Sequence, residues 1–395
     1  MQTFFITLFW TGIGVVGYTY LGYGLIIYIL PKLRKRSLAM TSVTEDQLPE
    51  VTLVVAAYNE EDFIRRKIQN SLELNYPAAK LHFIFVTDGS TDRTVNIIRE
   101  FPDITLYHEP GRKGKIHAVN RVMHRVSTPI TVFCDANTHL NQEAIRNIVR
   151  HFADPAVGGV AGEKRIVKKE SDNASGAGEG LYWKYESFLK AKDAEVYSIV
   201  GAAGELFAIR TELYEPPAPD TIIEDFYLSL RIVGRGYRFA YEPDAYAVET
   251  ASVSVEEEWK RKVRICAGGF QALGRLAYLL NPIRYGILSF QYFSHRVLRW
   301  TLAPLSLPLI LLSNIILAAS GSVVYQALLL LQLIFYGIAS AGYVLRNSTV
   351  RIKGFFVPYY FSVMNAAVYA GFIRFMRKKQ NVAWERAKRA ELDLM

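Results

Sequence analysis

Three segments of the chain drive an apolar run into oxygen-bearing side chains. Val51-Thr52-Leu53-Val54-Val55-Ala56 leads to Tyr58-Asn59-Glu60, Leu81 to Val86 leads to Thr87-Asp88-Gly89-Ser90-Thr91-Asp92, and Pro129 to Cys134 leads to Asp135-Ala136-Asn137. A strand end followed by a turn commonly holds Asp and Asn, so one such segment alone means little. Three of them, with the loop Gly111-Arg112-Lys113-Gly114-Lys115 before the last, describe a nucleotide site. Carboxylates hold a base and a ribose, lysines meet a diphosphate, and a late Asp holds a divalent metal. Simple solvation of Lys113 and Lys115 is the competing reading. A fourth apolar approach, Thr221-Ile222-Ile223, ends in Glu224-Asp225. Burying two adjacent carboxyl groups together raises the pKa of one of them toward the range a general base needs.

The elements that must position these residues alternate. The strands Val51–Ala56, Leu81–Val86, Ile104–Tyr107 and Ile130–Cys134 are separated by helical patterns carrying Ile68 and Leu72, then Val95, Ile98 and Phe101, then Ile116, Val119 and Met123. The first helix is expected to open at Tyr58-Asn59-Glu60-Glu61 and stop at Asn75-Tyr76-Pro77. Strand–helix alternation predicts a parallel sheet covered on both faces. In such sheets ligands bind beyond the carboxyl ends of the strands, where the polar segments stand. Asp220 or Thr221 is placed to cap a helix running through Phe226, Leu230 and Val233. Further on, Trp259, Val263, Cys266, Phe270, Leu273, Ala277 and Leu280 recur at steps of four and three. That is an amphipathic helix. Its apolar stripe is expected to lie along a membrane, with Arg261 and Arg264 projecting opposite.

Hydrophobic residues make up 51% of the 395 residues and charged residues 21%, but they are segregated. Phe4–Leu30, Thr301–Leu345 and Gly354–Ile373 contain no charged residue. Roughly 20 apolar residues cross a bilayer as a helix. The first run therefore spans once, and the second spans twice with a turn near Ala318-Ala319-Ser320-Gly321-Ser322. The third spans once more, or is broken at Pro358 into a re-entrant or surface-lying segment. The first run is too long for a cleaved signal and has no small-x-small site after it. Lys32, Arg34, Lys35 and Arg36 follow it and place the middle of the chain in the cytoplasm by the positive-inside rule. A cysteine introduced in the Ser171-Asp172-Asn173 loop should therefore resist a membrane-impermeant thiol reagent in intact cells. Ready labelling from outside would contradict this topology. Cys134 and Cys266, the two cysteines, suit a reducing compartment. The net charge of +9 suits an anionic membrane surface and an anionic ligand. His295, Arg296 and Arg299 are expected at the cytoplasmic membrane surface.

In order and spacing these motifs resemble the membrane-bound GT-A glycosyltransferases that include cellulose, hyaluronan, chitin-oligosaccharide and poly-N-acetylglucosamine synthases. The resemblance covers about Val51 to Leu280. It rests on Tyr58-Asn59-Glu60, Asp88-Gly89-Ser90-Thr91-Asp92, Gly114-Lys115 with Ala118-Val119-Asn120, Asp135-Ala136-Asn137, Glu224-Asp225 and Arg261-Lys262-Val263-Arg264-Ile265. There are two departures from the family pattern. Asn137 replaces the second acid of the metal motif, and Ile265 replaces a tryptophan that lies beside the acceptor sugar.

The resemblance implies a GT-A domain, a Rossmann-like mixed sheet, inserted between an N-terminal transmembrane helix and C-terminal interfacial and transmembrane helices. The corresponding boundaries are 1–36, 46–255, 256–300 and 301–395. It implies inverting transfer from a UDP-sugar to a growing glycan at the cytoplasmic face of a bacterial inner membrane, coupled to secretion. The alternative is addition of one sugar to a membrane lipid, as in ceramide glucosyltransferases. Asp225 is then the base, with Glu224 beside it. Tyr58, Asn59, Glu60, Asp88, Lys115, Arg261 and Arg264 hold the donor nucleotide, and Asp135 and Asn137 hold Mg²⁺ or Mn²⁺. The partners implied are the UDP-sugar, a glycan or lipid-linked acceptor and membrane lipids, with no nucleic acid. With four spans, secretion calls for a homo-oligomer or a secretion partner. Gly201-Ala202-Ala203-Gly204-Glu205 either shapes the acceptor site or is a plain turn.

Overall fold

The computed structural model describes residues 1–33, 45–167, 174–250, 255–345 and 353–378, with the side chains of 167, 174–182, 255 and 353 left out. Arg34 to Arg36 of the basic flank, the Ser171-Asp172-Asn173 loop and the basic tail beyond Lys378 lie outside the described residues. The chain forms two compact units. One gathers the described residues of Lys35–Val167 and Lys190–Thr250, the other those of Met1–Arg34, Lys168–Leu189 and Ala251–Lys379.

The first unit is built on eight strands: β1 (Val51–Ala57), β2 (Leu81–Asp88), β3 (Thr105–Glu109), β4 (Ile130–Asp135), β5 (His139–Leu140), β6 (Val157–Val167), β7 (Leu206–Arg210) and β8 (Arg238–Thr250). Their order is β3-β2-β1-β4-β7-β6-β8-β5. Strands β1 to β4 pair in parallel, as the alternation predicts. β7 then runs antiparallel to both β4 and β6 and makes the sheet mixed. β1 is buried at every position, which is why it reads as one continuous apolar run. Leu53, Val55, Phe85 and Val132 pack with Ile68 and Ile98 of the covering helices into the main core. The register sets Ala57 opposite Thr87 and Ala56 opposite Asp135. Strands β1, β2 and β4 therefore end side by side, and their polar segments emerge into one cleft.

Two helix starts differ from expectation. The first helix spans Ile64–Leu72 rather than opening at Tyr58. Asn59 adopts φ +52°, and its Oδ1 accepts from the Thr91 N–H at 2.8 Å. These features hold the preceding residues as a loop. The helix bearing the acidic pair spans Glu224–Gly234 and follows Ile223, not Asp220 or Thr221. The Thr221 N–H is spent closing a turn onto Ala218 O.

Among its described residues, the second unit contains four helices long and apolar enough to cross a membrane: Gln2–Leu33, Leu302–Ala319, Val323–Val344 and Gly354–Met376. The turn between the middle two falls at Ser320-Gly321-Ser322, with Gly321 at φ +86°. Pro358 does not break the last run; it lies inside a continuous helix, Lys353–Met376. The amphipathic stripe is corrected as well. On the helix Val255–Arg275, Cys266 packs with Ala367 and Val368, flanked by Trp259, Val263 and Phe270. The last long apolar helix covers the Trp259–Phe270 part of the stripe, whereas Ala277 and Leu280 lie in a separate 3-10 turn and are exposed. Gly371 permits the approach, since a Cβ there would stand 2.6 Å from Cys266 Cβ. His295, Arg296 and Arg299 are largely buried within the protein. They converge on Glu186, whose buried carboxylate pairs with Arg296 and lies 3.2 Å from Arg299 Nη1 and 3.5 Å from His295 Nε2. Burial of guanidinium groups needs such a partner.

Candidate active site

The cleft at the ends of β1, β2 and β4 has a pocket at one side, lined by Ala56, Ala57, Tyr58, Asp88, Arg112, Gly114, Lys115 and Ala118. Asp88 ends β2 and anchors the glycine-basic loop. Its carboxylate accepts from the Lys113 N–H at 3.0 Å and from the Gly114 N–H at 2.6 Å. Gly114 sits at φ +100°, a conformation L side chains rarely adopt, and the helix carrying Lys115 starts at the next residue. Gly89, at φ +70°, faces the same loop, and a Cβ there would lie 2.8 Å from Arg112 N. Arg112 in turn lies over the Tyr58 ring, 3.9 Å from its centroid.

The ammonium of Lys115 reaches the opposite side of the cleft, to Asp135 Oδ1 at 2.7 Å and Glu224 Oε1 at 2.9 Å. Asp225 stands beside them. Lys115, Asp135 and Asp225 face Gly204, two residues before β7. A Cβ on Gly204 would be 3.2 Å from Lys115 Nζ, 3.4 Å from Asp225 Oδ2 and 3.7 Å from Asp135 Oδ2. The Gly201–Glu205 segment is therefore a wall of the cleft and not a turn remote from it. Glu205, the next residue, pairs with Lys164, which is itself 2.5 Å from Glu249 Oε2. Lys164 and Glu249 are buried, and the Glu205 carboxylate also acts on the Asp225 charge.

The electrostatics follow from this crowding. Desolvation, followed by repulsion from Glu224, pushes the Asp225 carboxyl from 3.8 to about 7, with Lys115 pulling the other way. Burial disfavours charge on Lys115, but Asp135, Glu224 and Asp225 outweigh it, so its ammonium holds its proton more firmly than usual. Three carboxylates thus face one ammonium. A diphosphate enters such a place only with further positive charge. Asp135 and the half-buried Asn137 supply hard oxygen donors. The Asn137 amide has no hydrogen-bond partner among the described residues. Among those residues no three His, Cys, Asp or Glu side chains form a ready metal cluster. The donor set fits Mg²⁺ or Mn²⁺ completed by diphosphate oxygens, the usual habit of Mg²⁺.

The remaining sequence-derived residues fall in several places. Asn59 pins the β1 loop to the β2 loop, with its N–H donating to Ser90 Oγ at 3.1 Å and its Oδ1 accepting from Thr91. Glu60 is buried at the corner, where its N–H donates to Thr94 Oγ1 at 2.8 Å. The exposed Lys113 ammonium faces Glu109, and only its backbone serves the site. Arg261 and Arg264 belong to the membrane unit, where Arg261 is held by Glu258 one turn earlier at 2.9 Å. Arg112 and the Lys164 triad had no sequence signal of their own. Arg112 is distinguishable in the sequence only as a member of the glycine-basic loop whose N–H groups Asp88 binds.

The family model described as "Glycosyltransferase like family 2" matches residues 49–268. The chain belongs to this family. It is therefore an enzyme of glycosyl transfer. The relatives of this glycosyltransferase include poly-beta-1,6-N-acetyl-D-glucosamine synthases of Staphylococcus aureus (strain MSSA476), 28% identical over 283 residues, and Staphylococcus epidermidis, 26% identical over 283 residues. Each match covers 69% of this chain and 64% of the relative, so less than two thirds of the relatives' length is represented. Among solved structures, the glycosyltransferase is similar to a mannosyltransferase from Pyrobaculum calidifontis in complex with GDP-Man and Mn²⁺. The TM-score is 0.71, identity is 24%, and the match covers 94% of this chain and all of the other. That likeness shows the fold: a GT-A-like mixed sheet flanked by long apolar helices.

Proposed function

We propose that the glycosyltransferase transfers a sugar, with inversion, from a UDP-sugar to a growing glycan at the cytoplasmic face of a membrane, in a reaction coupled to secretion of the product. The observation that carries this is the convergence of Asp135, Lys115 and Asp225 around Gly204 beside the Tyr58–Asp88 pocket. Tyr58 and Asp88 border the nucleoside end. Lys115 and Asp135 meet the diphosphate end, where Asp135 and Asn137 would hold a divalent ion whose charge would offset that of the leaving diphosphate. Asp225 takes the proton of the attacking acceptor hydroxyl. Its raised pKa suits a base working near neutrality. Glu224 pairs with Lys115 in the donor-free cleft. The polymer named for the staphylococcal relatives supports a glycan acceptor and an N-acetylglucosamine donor.

The test is incubation of the purified, detergent-solubilised protein with UDP-N-acetylglucosamine, other UDP-sugars and GDP-mannose in Mg²⁺ or Mn²⁺, with the product sized. The expected result is UDP release and an oligosaccharide ladder from one UDP-sugar. A single sugar on a lipid acceptor would replace the polymer reading, and turnover of GDP-mannose alone would overturn the choice of nucleotide.

A further inference from the structure

The Lys115 ammonium stands where a cation is needed. It bridges Asp135 and Glu224 at 2.7 and 2.9 Å, so the carboxylate assigned to the metal already has a positive partner. The protein offers the ion little else, since Asn137 is neutral and no cluster of three metal-binding side chains exists among the described residues. An ammonium and a divalent ion repel each other, and both cannot sit on Asp135 at full strength. A diphosphate changes both terms. It gives Lys115 an anionic partner and brings the metal its missing oxygens.

We propose that Lys115 is a placeholder cation that blocks the metal site until the donor arrives, so that metal and nucleotide enter together. The inference rests on the nucleotide and metal reading of this cleft. Lys115 lies at the first turn of its helix, directly after Gly114, and Asp88 holds that end of the loop by its N–H groups. The long side chain then moves between two partners while its backbone stays fixed. In the donor-free protein the Lys115–Asp135 pair keeps the metal out. In the ternary complex Lys115 sits on the diphosphate and Asp135 is released to the ion. The free enzyme is thereby kept from collecting a metal in an unproductive complex.

The experiment is Mn²⁺ binding to the full-length protein, read by the loss of the free-ion electron paramagnetic resonance signal, with and without UDP. Wild type should bind Mn²⁺ on the order of tenfold more tightly with UDP than without. Lys115→Met and Lys115→Gln should bind Mn²⁺ without UDP more tightly than wild type by a similar factor, while Lys115→Arg, which keeps the cation, should behave as wild type does. Two replacements of different polarity guard against a local packing defect in either one. If both bind Mn²⁺ no more tightly than wild type in the absence of UDP, Lys115 is not a placeholder. Failure of wild type to bind UDP and Mn²⁺ together would instead overturn the underlying reading of the site.

Discussion

Asp225→Asn is expected to lower the rate of transfer by roughly 10²–10⁴-fold, the usual contribution of a general base, while UDP affinity is retained. Asp225 occupies the first turn of the helix Glu224–Gly234 and faces Gly204, across the cleft from the pocket at Tyr58 and Asp88. Its loss removes the proton acceptor and leaves the nucleoside pocket intact. The amide is nearly isosteric, so a folding defect is not expected. Wild-type pH dependence carries the same information. Desolvation and Glu224 hold the Asp225 carboxyl up to about 7, and the base must be ionised to act. Accordingly kcat/KM should rise by about tenfold per pH unit below that value and level off above it. A bound divalent ion favours the carboxylate, so the inflection in kcat should lie lower than that in kcat/KM. The inflection should be absent from Asp225→Asn. Wild-type turnover in that variant would remove Asp225 from the mechanism.

Asp135→Ala is expected to be inactive at any practical Mg²⁺ or Mn²⁺ concentration. Asp135 ends β4 opposite Ala56, and it is the charged member of the Asp135–Asn137 pair. Asn137 should behave differently because it supplies geometry rather than charge. Asn137→Asp should be tolerated and tighten metal binding. Asn137→Ala should raise the metal requirement without abolishing turnover. Wild-type activity should vanish in excess chelator and return with either ion. The ordering follows from the charge on each oxygen in a cleft that must gather an ion and a diphosphate. Metal-dependent activity in Asp135→Ala, or full wild-type activity in chelator, would contradict it.

The strands that end in the cleft are legible because burial on both faces forces continuous apolar runs, and a carboxylate ending such a run stands out. The ends of Leu81–Asp88 and Ile130–Asp135 are of this kind. What those carboxylates touch was less legible. Asp88 is visible as an acid at a strand end, yet its use of the Lys113 and Gly114 N–H groups depends on the fold of a loop that returns to it. Lys115 reads equally as a diphosphate ligand or a solvated charge, and only tertiary structure brings it to Asp135 and Glu224. Gly204 has no side chain to announce it; its meaning lies in the space it leaves. In the membrane unit an apolar stripe does not say what covers it. Cys266 and Val263 suit lipid and a neighbouring helix equally well, and the close approach at Gly371 decided for the helix. Pro358 was ambiguous for a related reason, since proline is tolerated in transmembrane helices whose neighbours satisfy the freed backbone groups.

The proposed reaction is a one-step displacement at the sugar's anomeric carbon, with Asp225 as base, the diphosphate as leaving group and no covalent glycosyl-enzyme. The anomeric configuration of the first bond formed tests it most directly, read by proton NMR during turnover of an α-linked UDP-sugar before any later modification of the product. A β-linked product is expected from wild type, and none above background from Asp225→Asn. An α-linked product would contradict it, because retention requires either two displacements or a different placement of the acceptor from the one Asp225 serves.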